Sequence, residues 1–169
     1  MPIHAFALEI KRLTEKGSFS GVASTYGNTD LGGDVVMPGA FDRTLTEAGK
    51  QRPLLWQHSQ PIGLVTLTDS PAGLAAEGQL SLGATLGKDA YVLLKDGVVG
   101  GLSIGYQTVK EQFVGDVRQL LEVKLYEVSL VTFPANQMAT VTNVKSMDEV
   151  RSALASFQSD FERAISGVR

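Results

Sequence analysis

Two strand-like runs, GLSIGYQTVKEQF at residues 101–113 and VRQLLEVKLYEVSLVTF at 117–133, are separated only by Val114-Gly115-Asp116. Both are rich in β-branched, aromatic and aliphatic residues, and a short glycine-centred turn between two such runs predicts an antiparallel hairpin. Alternation along the second run puts Leu125, Glu127 and Ser129 on one face, with Tyr126, Val128 and Leu130 on the other.

Outward from this hairpin the chain keeps a β texture. AFALEIKR at 5–12 and SFSGVASTY at 18–26 alternate between apolar and polar residues, as half-buried strands do. PLLWQH at 53–58, PIGLVTLTD at 61–69 and GLAAEGQLSL at 73–82 read as buried strands. Between them, GNTDLGGDVVMPGAF at 27–41 is dense in turn-forming residues and reads as a structured loop. Phe41, Leu45 and Ala48 have the spacing of a short helix ending near Gly49. Leu86, Ala90, Leu93 and Leu94 predict a second helix over 85–97, with Gly97 as its stop. Ser146 and Glu149 have capping-box spacing, and Met147, Val150, Leu154, Phe157, Phe161 and Ile165 form one apolar stripe behind them.

The expected fold is mostly β with helices (α+β): a closed or nearly closed antiparallel β-barrel surrounded by helices. Residues 1–145 would form the barrel domain with its embedded helices. Residues 146–169 would form an amphipathic helix packed on that domain, or alternatively a homodimer contact or a support for assembly.

Composition removes several classes of function. The 169 residues include no cysteine, which excludes disulfides, a thiolate nucleophile and thiolate metal sites. A net charge of -3 provides no overall basic field for nucleic acid. No apolar run approaches the ~20 residues that span a bilayer, and MPIHAFALEIKRL lacks the pattern of a signal peptide, so an intracellular soluble protein is expected. P-loop, GxGxxG and HExxH motifs are absent. Asn28, Asp30, Asp34 and Asp42 are oxygen-bearing, but they match no calcium-loop pattern and are explained by turn formation; no metal and no cofactor are expected.

What remains is hydroxyl chemistry. Serine needs an adjacent base, and the base needs a group that orients it. His58 ends an apolar run before Ser59-Gln60-Pro61, which suits a barrel rim; His4, close to the N-terminus, is the weaker candidate. Ser103 lies between Gly101 and Gly105, whose missing Cβ atoms would allow a close backbone approach, such as that of a substrate strand. GLSIG matches the letters of GxSxG, yet it lies in a strand rather than in a strand–turn–helix elbow. Glu127 interrupts an apolar strand and is a candidate acid, with Glu111 and Glu122 as alternatives.

In their order along the chain, GVASTYGNTDLGGDVVMPGAF, PLLWQH with PIG, GLSIGY and LYEVSLVTFPAN resemble the prohead proteases of tailed phages. These are capsid-maturation serine proteases, distantly related in fold to the herpesvirus assemblins, and the resemblance spans about residues 18–140. It implies a herpesvirus-protease-like barrel with Ser103 as nucleophile, His58 as general base and Glu127 as the orienting acid. It further implies a scaffold, or the scaffold-like part of a major capsid protein, as substrate inside the assembling prohead in the host cytoplasm. Self-cleavage is also implied, and a longer C-terminal tail beyond Arg169 is expected on that basis. A non-enzymatic β-barrel capsid-assembly protein is the main rival, and a hydrolase of small esters with a deep apolar pocket is a third reading.

Overall fold

The structure, a computed structural model, describes residues 16–143. The strand expected over 5–12, His4 and the helix expected over 146–169 lie outside the described residues. Eight strands and two helices follow in the order β1 Ser18–Thr25, β2 Asp34–Val36, α1 Asp42–Glu47, β3 Gln51–Trp56, β4 Gln60–Ser70, β5 Gly73–Leu80, α2 Thr85–Lys95, β6 Gly101–Val114, β7 Val117–Val131 and β8 Val141–Asn143. All strands belong to one curled, barrel-like sheet in which β7 has β6 along one edge and both β2 and β3 along the other. From β3 the sheet continues through β4, β5 and β1 to β8. The segment 139–141 links β1 to the start of β6, because Val22 N–H donates to Thr140 C=O, Leu102 N–H to Ala139 C=O and Val141 N–H to Gly100 C=O.

The hairpin expected around Gly115 is present, with Val114 opposite Val117 and Gly115 at φ +61°. The antiparallel expectation needs correction, since β2 and β3 both pair with β7 in parallel. Both strands are followed by long excursions before β7 begins, which is the condition for parallel neighbours. The surrounding helices are reduced, among the described residues, to α1 against β7 and α2 against β4 and β5. Helix α2 buries Ala90 and Leu94, and its chain turns away at Gly97 with φ +72°. Loop 27–41 contains a strand of its own, β2, which is fully buried.

The core gathers Phe41, Leu54, Leu67, Leu94, Leu102 and Leu130, all fully buried. Each such side chain contributes about 1.5–3 kcal/mol of apolar burial. On β7 the inward residues are Val123 and Leu125, then Val128 and Leu130. The parity changes because Gly105 pairs with Glu127 while Tyr106 pairs with Leu125, leaving Tyr126 as an extra residue in β7. This β-bulge overturns the expectation that Leu125, Glu127 and Ser129 share a face. Leu125 points into the core, whereas the strand beyond the bulge presents Glu127 and Ser129 to the other side.

The bulge is held from outside the sheet. Between the segments of β7 paired with β2 and with β3, the strand edge is occupied by α1 and its flanks. Val123 N–H donates to Ala40 C=O, Leu125 N–H to the Thr44 hydroxyl, and Arg52 Nε to Leu125 C=O at 3.0 Å. The remaining Arg52 donors reach the carbonyls of Thr44, Ala48, Gly49 and Gln51, so a buried guanidinium closes the end of α1 against β7.

Candidate active site

The site is built where β6, β7 and the end of β3 lie side by side. Ser103 on β6 stands directly opposite Ser129 on β7, and Leu55 on β3 pairs with Ser129 from the other edge. Directly opposed residues of an antiparallel pair share a face, with Cβ atoms about 4.5–5.5 Å apart. Ser103 therefore looks out on the same side as Ser129 and Glu127.

His58 reaches this face from the turn between β3 and β4. The turn is Gln57-His58-Ser59, so His58 lies within it rather than before it, while Gln60 and Pro61 already belong to β4. Ser59 N–H donates to Trp56 C=O at 3.0 Å, and both Gln57 (φ 49°) and His58 (φ 59°) are left-handed. This is the pattern of a type I′ turn, which normally takes asparagine and glycine at its two central positions. Two non-glycine residues in that region store backbone strain of about 1–2 kcal/mol each. Gln57 N–H to Leu130 C=O at 3.0 Å and His58 N–H to Ser129 Oγ at 3.1 Å dock the turn on the end of β7.

The strained turn aims the imidazole at Glu127. His58 Nδ1 lies 2.7 Å from Glu127 Oε1, and the second carboxylate oxygen accepts the Ser129 hydroxyl at 2.7 Å. Because an ionised carboxylate only accepts, a hydrogen bond to it requires the hydrogen on Nδ1. The Glu127 side chain is 12% exposed, whereas that of His58 is 45% exposed, so the carboxylate lies inside and the imidazole opens to solvent.

Of the three sequence candidates for the acid, only Glu127 meets His58. Glu122 pairs with Arg43 at 3.2 Å and Glu111 with Arg118 at 3.4 Å. The two serines also differ. Ser129 is fully buried with its hydroxyl committed to Glu127 and to the His58 amide, whereas Ser103 retains 9% exposure. Among the described residues, the Ser103 hydroxyl has no hydrogen-bond partner.

The glycines around Ser103 serve the chain's own packing rather than an open approach. A Cβ at 105 would overlap Glu127 Oε1 and stand 2.9 Å from its Cδ and Cγ. At 101 it would meet Pro134 Cδ at 2.7 Å. Gly105 is thus the residue across the bulge that leaves room for the carboxylate, a role that sequence spacing could not reveal. Ser129 was visible as a serine two positions from Glu127, but its function depends on the bulge and on the His58 turn.

Beside Ser103 is a depression of about 80 Å³ lined by Ser24, Asn28, Asp30, Asp34, Tyr106 and Asn136, among others. Its floor is braced by Asp34, which takes Arg118 Nε at 2.7 Å and the Tyr106 hydroxyl at 3.2 Å. The Arg118 hydrogen bonds hold the Asp34 carboxyl below the usual carboxylate range. Burial, reinforced by Asp34, pushes the Tyr106 phenol up to about 12. Asp30 forms a turn, its Oδ1 accepting the amides of Gly32 and Asp34. The amides of Asp30 through Gly33 are likewise directed within the chain, so the glycines of this loop form a closed turn rather than a row of free donors.

Comparison with known proteins agrees with the blocks quoted above. The prohead protease of Enterobacteria phage HK97 is 31% identical over 146 residues, covering 82% of this chain and 64% of that protein. The prohead protease of Escherichia phage T5 is 29% identical over 158 residues, covering 87% of the chain and 74% of that protein. A capsid polyprotein of Pseudomonas phage PAJU2 is 39% identical over 160 residues, covering 87% of the chain and 23% of the polyprotein. The chain therefore spans less than two thirds of the HK97 protein and about a quarter of the polyprotein. Residues 6–153 match the family described as caudovirus prohead serine protease, and the chain belongs to that family.

Proposed function

We propose that the protein is a serine endopeptidase of phage capsid maturation, with Ser103 as nucleophile, His58 as general base and Glu127 as the acid that orients it. The observation that carries the reading is the 2.7 Å contact between His58 Nδ1 and Glu127 Oε1, made on the strand that pairs with the strand of Ser103, whose hydroxyl is uncommitted among the described residues. With Nδ1–H donated to Glu127, Nε2 accepts the Ser103 proton as Oγ attacks a peptide carbonyl carbon. The imidazolium that forms is stabilised by the carboxylate and returns the proton to the leaving amine as the C–N bond breaks. Water, deprotonated by the same nitrogen, then attacks the acyl-enzyme and frees Ser103.

The substrate in this reading is a capsid or scaffold protein inside the assembling prohead in the host cytoplasm, with self-cleavage as a second reaction. The names of the HK97 and T5 relatives support it, as does the PAJU2 relative that carries a matching segment within a capsid polyprotein. The small depression beside Ser103 also fits a protease better than a hydrolase of small esters with a deep pocket, because sites that engulf small molecules usually measure about 300–1,000 Å³. The curled sheet is taken to be a herpesvirus-protease-like barrel.

The test is co-expression of the chain with the capsid and scaffold proteins of its own phage. Processing by wild type and its loss in Ser103→Ala, by at least 10³-fold in rate, is the expected result. Undiminished processing by Ser103→Ala removes Ser103 as nucleophile, and normal assembly without any processing favours a non-enzymatic assembly protein.

A further inference from the structure

Ser129 is a second serine in the site, and its surroundings set it apart from Ser103. It is fully buried, with β6 on one side and β3 on the other. A hydroxyl has one hydrogen to donate and two lone pairs to accept with. Here the hydrogen goes to Glu127 Oε2 at 2.7 Å, and a lone pair takes the backbone N–H of His58 at 3.1 Å. Glu127 Oε1 in turn holds His58 Nδ1 at 2.7 Å. The three residues form a closed ring of hydrogen bonds in which one hydroxyl touches both the acid and the backbone of the base.

Two features give this ring its importance. A carboxylate bound only through Oε1 can rotate about its terminal bond, and rotation swings Oε1 away from the imidazole; a donor on Oε2 blocks that motion. The His58 backbone is left-handed at φ 59°, a conformation that persists only where its neighbours enforce it. The Ser129 lone pair is one of the contacts that enforces it. A single side chain therefore sets both the direction of Glu127 and the position from which the His58 ring departs.

We infer that Ser129 is a positioning residue for the proteolytic reaction, holding Glu127 and His58 in mutual register while taking no proton from substrate. The inference rests on the assignment of Ser103, His58 and Glu127 proposed above. Ser129→Ala keeps the strand and the core but leaves Oε2 and the His58 amide without their partner. Misplacement of a catalytic group by about 1 Å costs on the order of 10²-fold in rate. The chemical step should therefore fall by about 10–100-fold with binding unchanged.

The experiment uses a fluorophosphonate probe on the purified chain, measuring kinact and KI separately and locating the label by peptide mapping. In Ser129→Ala, kinact is expected to drop 10–100-fold with KI within twofold, and the downfield proton resonance of His58 Nδ1–H is expected to shift or broaden. Ser129→Cys, close in size but a weak donor, is expected to lower kinact in the same direction and decides the matter where the alanine variant does not fold. Wild-type kinact in either folded variant overturns the positioning role. A loss of thermal stability with kinact and the His58 resonance unchanged reduces Ser129 to a structural residue and overturns the role as well. Failure of the underlying assignment is separately visible, because wild type would then carry no label on Ser103.

Discussion

Gly105→Ala tests how the sheet makes room for the acid. The new Cβ would overlap Glu127 Oε1 and approach Cδ and Cγ to 2.9 Å, where ordinary contact lies at about 3.5–4 Å. Relief requires the carboxylate to retreat by about 1 Å, and a 2.7 Å bond to His58 Nδ1 does not survive that displacement in its present direction. Because the crowded atoms are the end of a side chain rather than backbone, the stability cost should stay near the low end of overpacking, about 1–2 kcal/mol. The cost in rate should be larger: at least about 10²-fold from misplacement alone, and up to about 10⁴-fold if the orienting acid is lost entirely. The assay is the kinact/KI of the fluorophosphonate probe, with thermal unfolding measured in parallel. Gly83→Ala is the control, since a Cβ there meets nothing within 4 Å and should leave both quantities unchanged. A folded Gly105→Ala that reacts within threefold of wild type would show that Glu127 does not orient His58, and the proposed triad would lose its third member.

Two further perturbations probe the frame that carries the site. Asp34 is held below the usual carboxylate range, so near pH 4 the unfolded chain binds more protons there than the folded one. Its contribution is complete above that pH and is lost as pH falls through the lower folded value. Asp34→Asn should destabilise by about 1–3 kcal/mol at pH 7, and the gap to wild type in thermal unfolding should close in acid; a gap independent of pH would refute the ion pair's role. Arg52→Lys replaces a fork that reaches five backbone carbonyls by a compact ammonium with three hydrogens. A loss of about 2–4 kcal/mol is expected from urea unfolding, and an unchanged midpoint would mean that the α1 corner does not brace β7.

The local elements were legible because their signals are local. The glycine turn at 115 between two β-rich runs specified the β6–β7 hairpin, and the spacing of Leu86, Ala90 and Leu94 with Gly97 beyond it specified α2. The parallel placement of β2 and β3 against β7 left no comparable trace. Pairing between strands some sixty or more residues apart depends on what else covers the edge, and here that includes α1 and Arg52.

For the site, residue types were sufficient to nominate candidates and insufficient to arrange them. Cysteine was absent, one histidine stood at the end of an apolar run and one serine lay between glycines, so Ser103 and His58 could be named from composition and resemblance. Glu127 stood out by interrupting an apolar strand and by the resemblance, with Glu111 and Glu122 as alternatives, and simple alternation placed Glu127 on the same face as Leu125. The folded chain shows which of the three lies beside His58. One extra residue at Tyr126 shifts the pleat, Gly105 leaves space across from it, and a left-handed turn brings His58 within 2.7 Å of the carboxylate. A strand's period of two determines faces from sequence only while pairing is regular. A bulge is a property of two strands together, and it was the bulge that decided which acid meets the histidine.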